Sequence, residues 1–188
     1  MAACAAFRTI ITMVPAAGML LVASTTLSEP SFMRSVIYLL EHDEDGTLGF
    51  IINRPLDIAL SDLWADCPAG LGPAKVAAEG GPVDRNKGLL LHSCSELPGA
   101  QPMGNGLAVG GDMEALARRY AKGADPTGPR LFLGHSGWAP GQLANEIAEG
   151  AWIVRPGSLD LVLHSRPSGT LWQHLLDGKI GLPEPSIN

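Results

Sequence analysis

Val36-Ile37-Tyr38-Leu39-Leu40, then His42-Asp43-Glu44-Asp45-Gly46, then Leu48-Gly49-Phe50-Ile51-Ile52: two apolar runs flank a polar turn that ends in glycine. This reads as a β-hairpin, because the runs have strand length and the turn carries residues that tolerate tight backbone geometry. A strand with one face in water alternates apolar and polar residues, whereas an unalternating strand is covered on both sides. The hairpin is therefore expected inside a sheet with helices packed on each face.

Upstream, Leu20–Ser24 reads as a first strand, and Ser28-Glu29-Pro30-Ser31 as a cap leading into one short helical turn. Downstream, Asn53-Arg54-Pro55 ends the hairpin, and Leu56–Trp64 is expected to start a helix after the proline. Further strands are predicted at Val76–Ala78, Leu89–Leu91, Leu107–Val109, Leu131–Leu133, Trp152–Val154 and Leu159–Leu163. Asp112 caps a helix whose inner stripe is Met113, Leu116, Ala117 and Tyr120. Pro140 opens another, with Leu143 and Ile147 inward, Gln142, Asn145, Glu146 and Glu149 outward, and Gly150 closing it. Leu171, Trp172, Leu175 and Leu176 form a third stripe, closed by Gly178. The predicted fold class is α/β or α+β: a single compact domain over 18–188, with a mixed β-sheet, after an N-terminal extension at 1–17.

The 188 residues, 46% hydrophobic and 17% charged, have the composition of one globular domain. Thirteen Lys and Arg against 19 Asp and Glu give a net charge of −6, which opposes binding to nucleic acid phosphates. Arg118, Arg119 and Lys122 are the densest basic group and read as the solvated end of a helix. Three cysteines, Cys4, Cys67 and Cys94, cannot all pair and match no thiol motif, which points to a reducing compartment. Met19-Leu20-Leu21-Val22-Ala23 resembles a signal-peptide core, but Pro15 and Gly18 interrupt the run. A cytoplasmic protein without a membrane span is the expectation.

Gly134-His135-Ser136-Gly137-Trp138 lies between a predicted strand and a predicted helix, the setting of a nucleophile elbow. The last position is tryptophan instead of glycine and His135 adjoins the serine, so a tight glycine turn is the preferred reading. Gly80-Gly81 admits a close backbone approach or an anion cradle, but it lacks the rest of a phosphate-binding loop. His92 and Cys94 share a strand face, yet no second ligand pair is spaced for zinc, so neither a metal nor a cofactor is expected. His42 and His92 read as polar strand ends and remain the candidate acid–base groups. Pro55 holds Arg54 extended, either to clamp an anion or to bond loop carbonyls and a carboxylate.

Taken in order, Leu21-Val22-Ala23-Ser24, Pro30-Ser31-Phe32, Glu41-His42, Gly46-Thr47-Leu48-Gly49, Asn53-Arg54-Pro55, Gly80-Gly81-Pro82-Val83, Leu91-His92, Gly137-Trp138 and Pro140-Gly141-Gln142-Leu143 with Glu146 resemble the YqgE/AlgH family over about residues 18–178. The resemblance implies a compact bacterial α/β protein with a mixed sheet and no established biochemical activity. One branch of the family carries a name describing it as a transcriptional regulator. Where the family commonly has tyrosine and alanine, this chain has His135 and Ser136, which weighs further against a serine nucleophile.

The leading expectation is a cytosolic, non-catalytic binding or adaptor protein engaging a protein or a small molecule, with any regulatory role indirect. Asn53, Arg54, Gly80, Gly81, His92, Trp138, Gln142 and Glu146 would form one surface, with Trp138 as a flat apolar contact. The alternatives are a hydrolase or transferase, with His92 or His42 as base and Arg54 as anion clamp, and, last, a direct DNA binder.

Overall fold

The computed structural model describes residues 13–67, 76–121, 128–163 and 170–178. In chain order the elements are β1 (Met19–Ala23), β2 (Val36–Asp43), β3 (Gly46–Ile51), β4 (Pro55–Ala59), α1 (Leu60–Leu63), β5 (Val76–Glu79), β6 (Val83–His92), β7 (Ala100–Pro102), β8 (Ala108–Gly110), α2 (Met113–Ala121), β9 (Arg130–Trp138), α3 (Gln142–Ala148), β10 (Trp152–Pro156), α4 (Leu159–Leu163) and α5 (Thr170–Leu176). The strands form one sheet in the order β10-β1-β2-β3-β9-β6-β8-β7, with neighbours along this path antiparallel. β5 lies parallel to β9 and carries β4 antiparallel on its other side, so the sheet is mixed.

The β2–β3 hairpin forms as its sequence predicts. Asp43 Oδ1 accepts the Asp45 and Gly46 amides, closing the turn, and Gly46 has φ 144°, a conformation that favours glycine. β1 from Leu20 and β2 through Leu40 are buried at every position, as unalternating runs require. Neighbouring residues divide between two cores. Leu89, Leu91 and Phe132 pack into the main cluster with Trp172 and Leu175 of α5 and Val162 and Leu163 of α4. Leu90 and Leu131 turn the other way, onto Leu60 of α1, Leu116 and Tyr120 of α2, and Cys94. Because successive strand side chains point to opposite faces, this division places helices on both faces of the sheet.

β9 is the spine. β6 runs along one edge, while β5 holds the other at Phe132–Leu133 and β3 takes over from Ser136. Gly134, at φ 71°, bends the strand where this exchange occurs, so the expected glycine turn at 134–138 is a kink inside a nine-residue strand. Two other expectations are corrected. Leu56–Trp64 is strand in its first half: Pro55 and Ala59 pair with Ala78 and Val76, and helix begins only at Leu60. Pro55 opens that strand, where the amide it lacks costs least. Leu159–Leu163 is helix, because Gly157 breaks from β10 and Ser158 Oγ accepts the Leu161 amide as a cap.

Arg130, buried at the start of β9, donates to the Val162 and Ile52 carbonyls and lies over the Phe132 ring, 4.9 Å from its centroid. Burial pulls its pKa down to about 10. No helix among the described residues is long and apolar enough to cross a membrane.

Candidate functional site

The Ser31–Arg34 turn ties together most of the sequence-predicted residues. Arg34 sits at φ 57°, and Asn53 steadies the chain there by accepting the Val36 amide (2.8 Å) and donating to the Arg34 carbonyl (2.9 Å). Arg54 donates to the carbonyls of Ser31 (2.7 Å), Met33 (3.1 Å) and Pro30 (3.5 Å), and pairs with Glu79 at 3.6 Å. Glu79 in turn meets Arg85 at 3.2 Å. Of the two roles open to Arg54, the structure shows the loop-carbonyl and carboxylate one.

Phe32, at the crest of this turn, enters an aromatic box. It stacks on Trp138 with centroids 6.0 Å apart and meets Trp152 edge-on at 5.6 Å, while the two indoles make a T at 5.9 Å. Both indole N–H groups donate to Glu146 Oε2, from Trp138 at 2.9 Å and from Trp152 at 2.7 Å. Gln142 Nε2 donates to Glu146 Oε1 at 2.9 Å, and its Oε1 accepts the Ala139 amide from the turn ahead of α3. Trp138 is thus buried and packs inward, where the sequence suggested a flat contact for a partner. Glu146 faces the box that α3 covers and not solvent alone.

Gly80 and Gly81 bring the chain against β9 too closely for a Cβ. A Cβ on Gly80 would overlap the Gly134 carbonyl, and one on Gly81, at φ 153°, would overlap the His135 carbonyl. The Gly80 amide donates to Leu133, and its carbonyl accepts from Ile51 and from Ser136 Oγ. These glycines serve close packing, and the Ser136 hydroxyl, fully buried, is engaged with them.

The candidate bases fall apart from Arg54. His42 Nδ1 bonds Thr47 Oγ1 at 2.7 Å, at the turn end of the hairpin. Thr47 and Ile51 are four steps apart on β3, about 13 Å at ~3.3 Å per residue, and Arg54 lies beyond Ile51. His92, 0% exposed, pairs with Ala108 at the far end of β6. Its Nε2 bonds the Gly110 carbonyl at 2.9 Å and its Nδ1 accepts the Cys94 amide at 3.2 Å, so both ring nitrogens are engaged by backbone. Leu91 faces Arg130 and Val83 faces His135. Those β9 partners lie about 17 Å apart at ~3.3 Å per residue, so His92 does not share a site with Gly81 or Trp138.

Sequence reading passed over Glu79, Arg85 and Phe32 as site residues. Glu79 adjoins the glycine pair and could have been found from its strand-end position; Arg85 and Phe32 meet the others only through tertiary packing. Cys67 and Cys94 are not joined in a disulfide, and burial raises the Cys67 pKa. Cys4, Lys122 and His164 lie outside the described residues. Among the described residues no group of three or more His, Cys, Asp and Glu is placed to hold a metal.

A family model described as AlgH-like matches residues 20–182. A UPF0301 protein of Bacteroides fragilis is 34% identical over 174 residues, covering 89% of this chain and 84% of the relative. One from Streptomyces avermitilis is 38% identical over 173 residues, covering 85% and 84%. Among solved structures, protein DIP2367 from Corynebacterium diphtheriae superposes with a TM-score of 0.70 at 28% identity, over 91% of this chain and 90% of that one. The solution structure of the AlgH protein from Pseudomonas aeruginosa gives 0.62 at 27% identity, over 88% and 94%.

Proposed function

The chain belongs to the AlgH-like family, and from that premise we propose that it is a cytoplasmic binding protein that engages a protein partner and catalyses no reaction. The observation that carries this reading is a partly exposed, rigidly held row beside the Ser31–Arg34 turn. Met33, 51% exposed, lends its carbonyl to Arg54 at one end. Arg54, Glu79 and Arg85 follow as a continuous ionic row, and Val83, 42% exposed, precedes Arg85 by two residues at the other end. Apolar side chains beside fixed charges are what a protein interface uses for area and for register. Arg54 is already immobilised by three carbonyls, so little of its rotamer freedom is left to lose on binding. A regulatory role would then be indirect, through the bound protein, in keeping with the net charge of −6.

The test is quantitative affinity capture with the wild-type chain, Arg85→Glu and Val83→Asp, both changes being at exposed positions that should leave the melting temperature unchanged. The expected result is a protein held by the wild type and depleted about tenfold by each variant, then shown to bind the purified chain. Identical capture profiles for all three forms would reject the surface. A substrate turned over by the purified protein, with the rate abolished by His42→Ala, would replace binding with catalysis.

A further inference from the structure

A second place in the molecule presents hydrogen-bonding groups that the fold leaves unanswered. A cleft of about 420 Å³, within the size range of small-molecule sites, lies between the start of β1 and the β10–α4 connection, lined by Gly18, Tyr38, Asn105, Gly157, Ser158 and neighbouring apolar groups. Glycines let its walls meet. A Cβ on Gly157 would overlap the Gly18 carbonyl, and one on Gly18 would overlap the Asn105 amide.

Asn105 is held there by unusual backbone. Gly104, Asn105 and Gly106 take φ of 79°, 51° and 78°, three successive left-handed residues, and only the middle one carries a side chain. Such a conformation is unfavourable for a residue with a Cβ, though asparagine tolerates it best, and when it persists at a cleft it points to a role for the side chain. The Asn105 Nδ2 donates to the Tyr38 hydroxyl at 3.5 Å. Tyr38 is 2% exposed, and because its oxygen accepts from Asn105, its own O–H remains a donor with no acceptor among the described residues. Asn105 Oδ1 likewise accepts from none of them. The cleft therefore offers a buried donor beside a solvent-exposed acceptor, both uncharged.

We propose that this cleft binds a small neutral molecule through a lactam or primary-amide edge, the edge that nucleobases carry: the Tyr38 O–H donates to the ligand carbonyl and Asn105 Oδ1 accepts the adjacent ligand N–H. The pairing matches donor to acceptor and acceptor to donor, and neither member asks for a charge on the ligand.

Uracil, hypoxanthine and nicotinamide are the probes, titrated into the ¹⁵N-labelled full chain and followed by amide NMR shifts, with 1,3-dimethyluracil as the control that lacks the N–H. Asn105→Gly removes the amide while relieving the backbone, and Tyr38→Phe removes only the hydroxyl, so both variants should remain folded. The expected result is saturable movement of the Gly18, Asn105, Gly157 and Ser158 amides with at least one probe, none with dimethyluracil, and affinity weakened about tenfold or more in each variant. No saturable movement with any probe would overturn the proposal. So would equal response to dimethyluracil, or binding indifferent to both substitutions.

Discussion

Two indoles from different strands end on one carboxylate oxygen, and that arrangement shows what most of the polar residues here do. Trp138 and Trp152 are both buried, so their N–H groups need an acceptor, and Glu146 supplies it to both at under 3 Å. An unanswered buried donor costs about 1–3 kcal/mol. Glu146→Ala is therefore expected to lower unfolding free energy by about 2–4 kcal/mol, and Glu146→Gln by less, since an amide oxygen still accepts. Urea unfolding with tryptophan emission as the signal checks this, and an alanine variant as stable as wild type would show that the indoles find other acceptors. Tyr38 gives a pH counterpart. Burial raises its phenol above the ordinary 10.0, so the folded chain favours the neutral form. The stability this contributes is present in full below the unfolded pKa and is lost as pH rises through the folded one. As pH rises above about 10 the wild type should lose stability more steeply than Tyr38→Phe, whatever their difference at neutral pH. Parallel pH profiles in thermal unfolding would remove Tyr38 from the account.

Elements form here where local and tertiary preferences agree, and they were misread where a short apolar run had to be assigned without its neighbours. The β2–β3 hairpin was legible because turn chemistry and run length gave the same answer. Leu159–Leu163 was not, since five residues with four apolar side chains suit a strand or a helix equally, and Ser158 as a cap decides the matter only once Gly157 is seen to leave the sheet. In the candidate site, Gln142 and Glu146 were legible as one helix face, and Arg54 as a residue with two possible roles. That Phe32 would slot between two tryptophans, or that His92 would lie at the opposite end of β6, depends on strand order, which no local pattern encodes. Helix α2 shows a cap that could be read directly. Asp112 Oδ1 accepts the amides of Glu114 and Ala115 at 2.9 and 3.0 Å, and the helix so started delivers Leu116 and Tyr120 to the second core. Asp112→Ala should cost about 1 kcal/mol, with Asp112→Ser restoring most of it. Equal melting temperatures for all three forms would mean that packing alone sets where α2 begins.

Across the whole molecule, one strand joins the two cores. β9 passes Leu131 to one face and Phe132 to the other, and its kink at Gly134 lets β5 and β3 share an edge. The polar groups gathered along it, Ser136 with Gly80 and the Trp138 indole with Glu146, hold strands together, so the surface chemistry comes from the periphery. There, among the described residues, four basic side chains are paired: Arg118 with Glu114, Lys87 with Asp84, and Arg54 and Arg85 with Glu79. Lys87 even draws the Asp84 carboxyl below its ordinary pKa. With these four described cations already paired, a chain of net charge −6 has little with which to displace counterions from a duplex. The expected outcome is no saturable binding of duplex DNA of any sequence at about 50 mM salt, where phosphate contacts are strongest. Fluorescence anisotropy against a labelled duplex pool measures this. Affinity that appears there and falls by about a thousandfold or more on moving to 200 mM salt would mean several phosphate contacts, and hence a basic surface assembled outside the described residues or between copies of the chain.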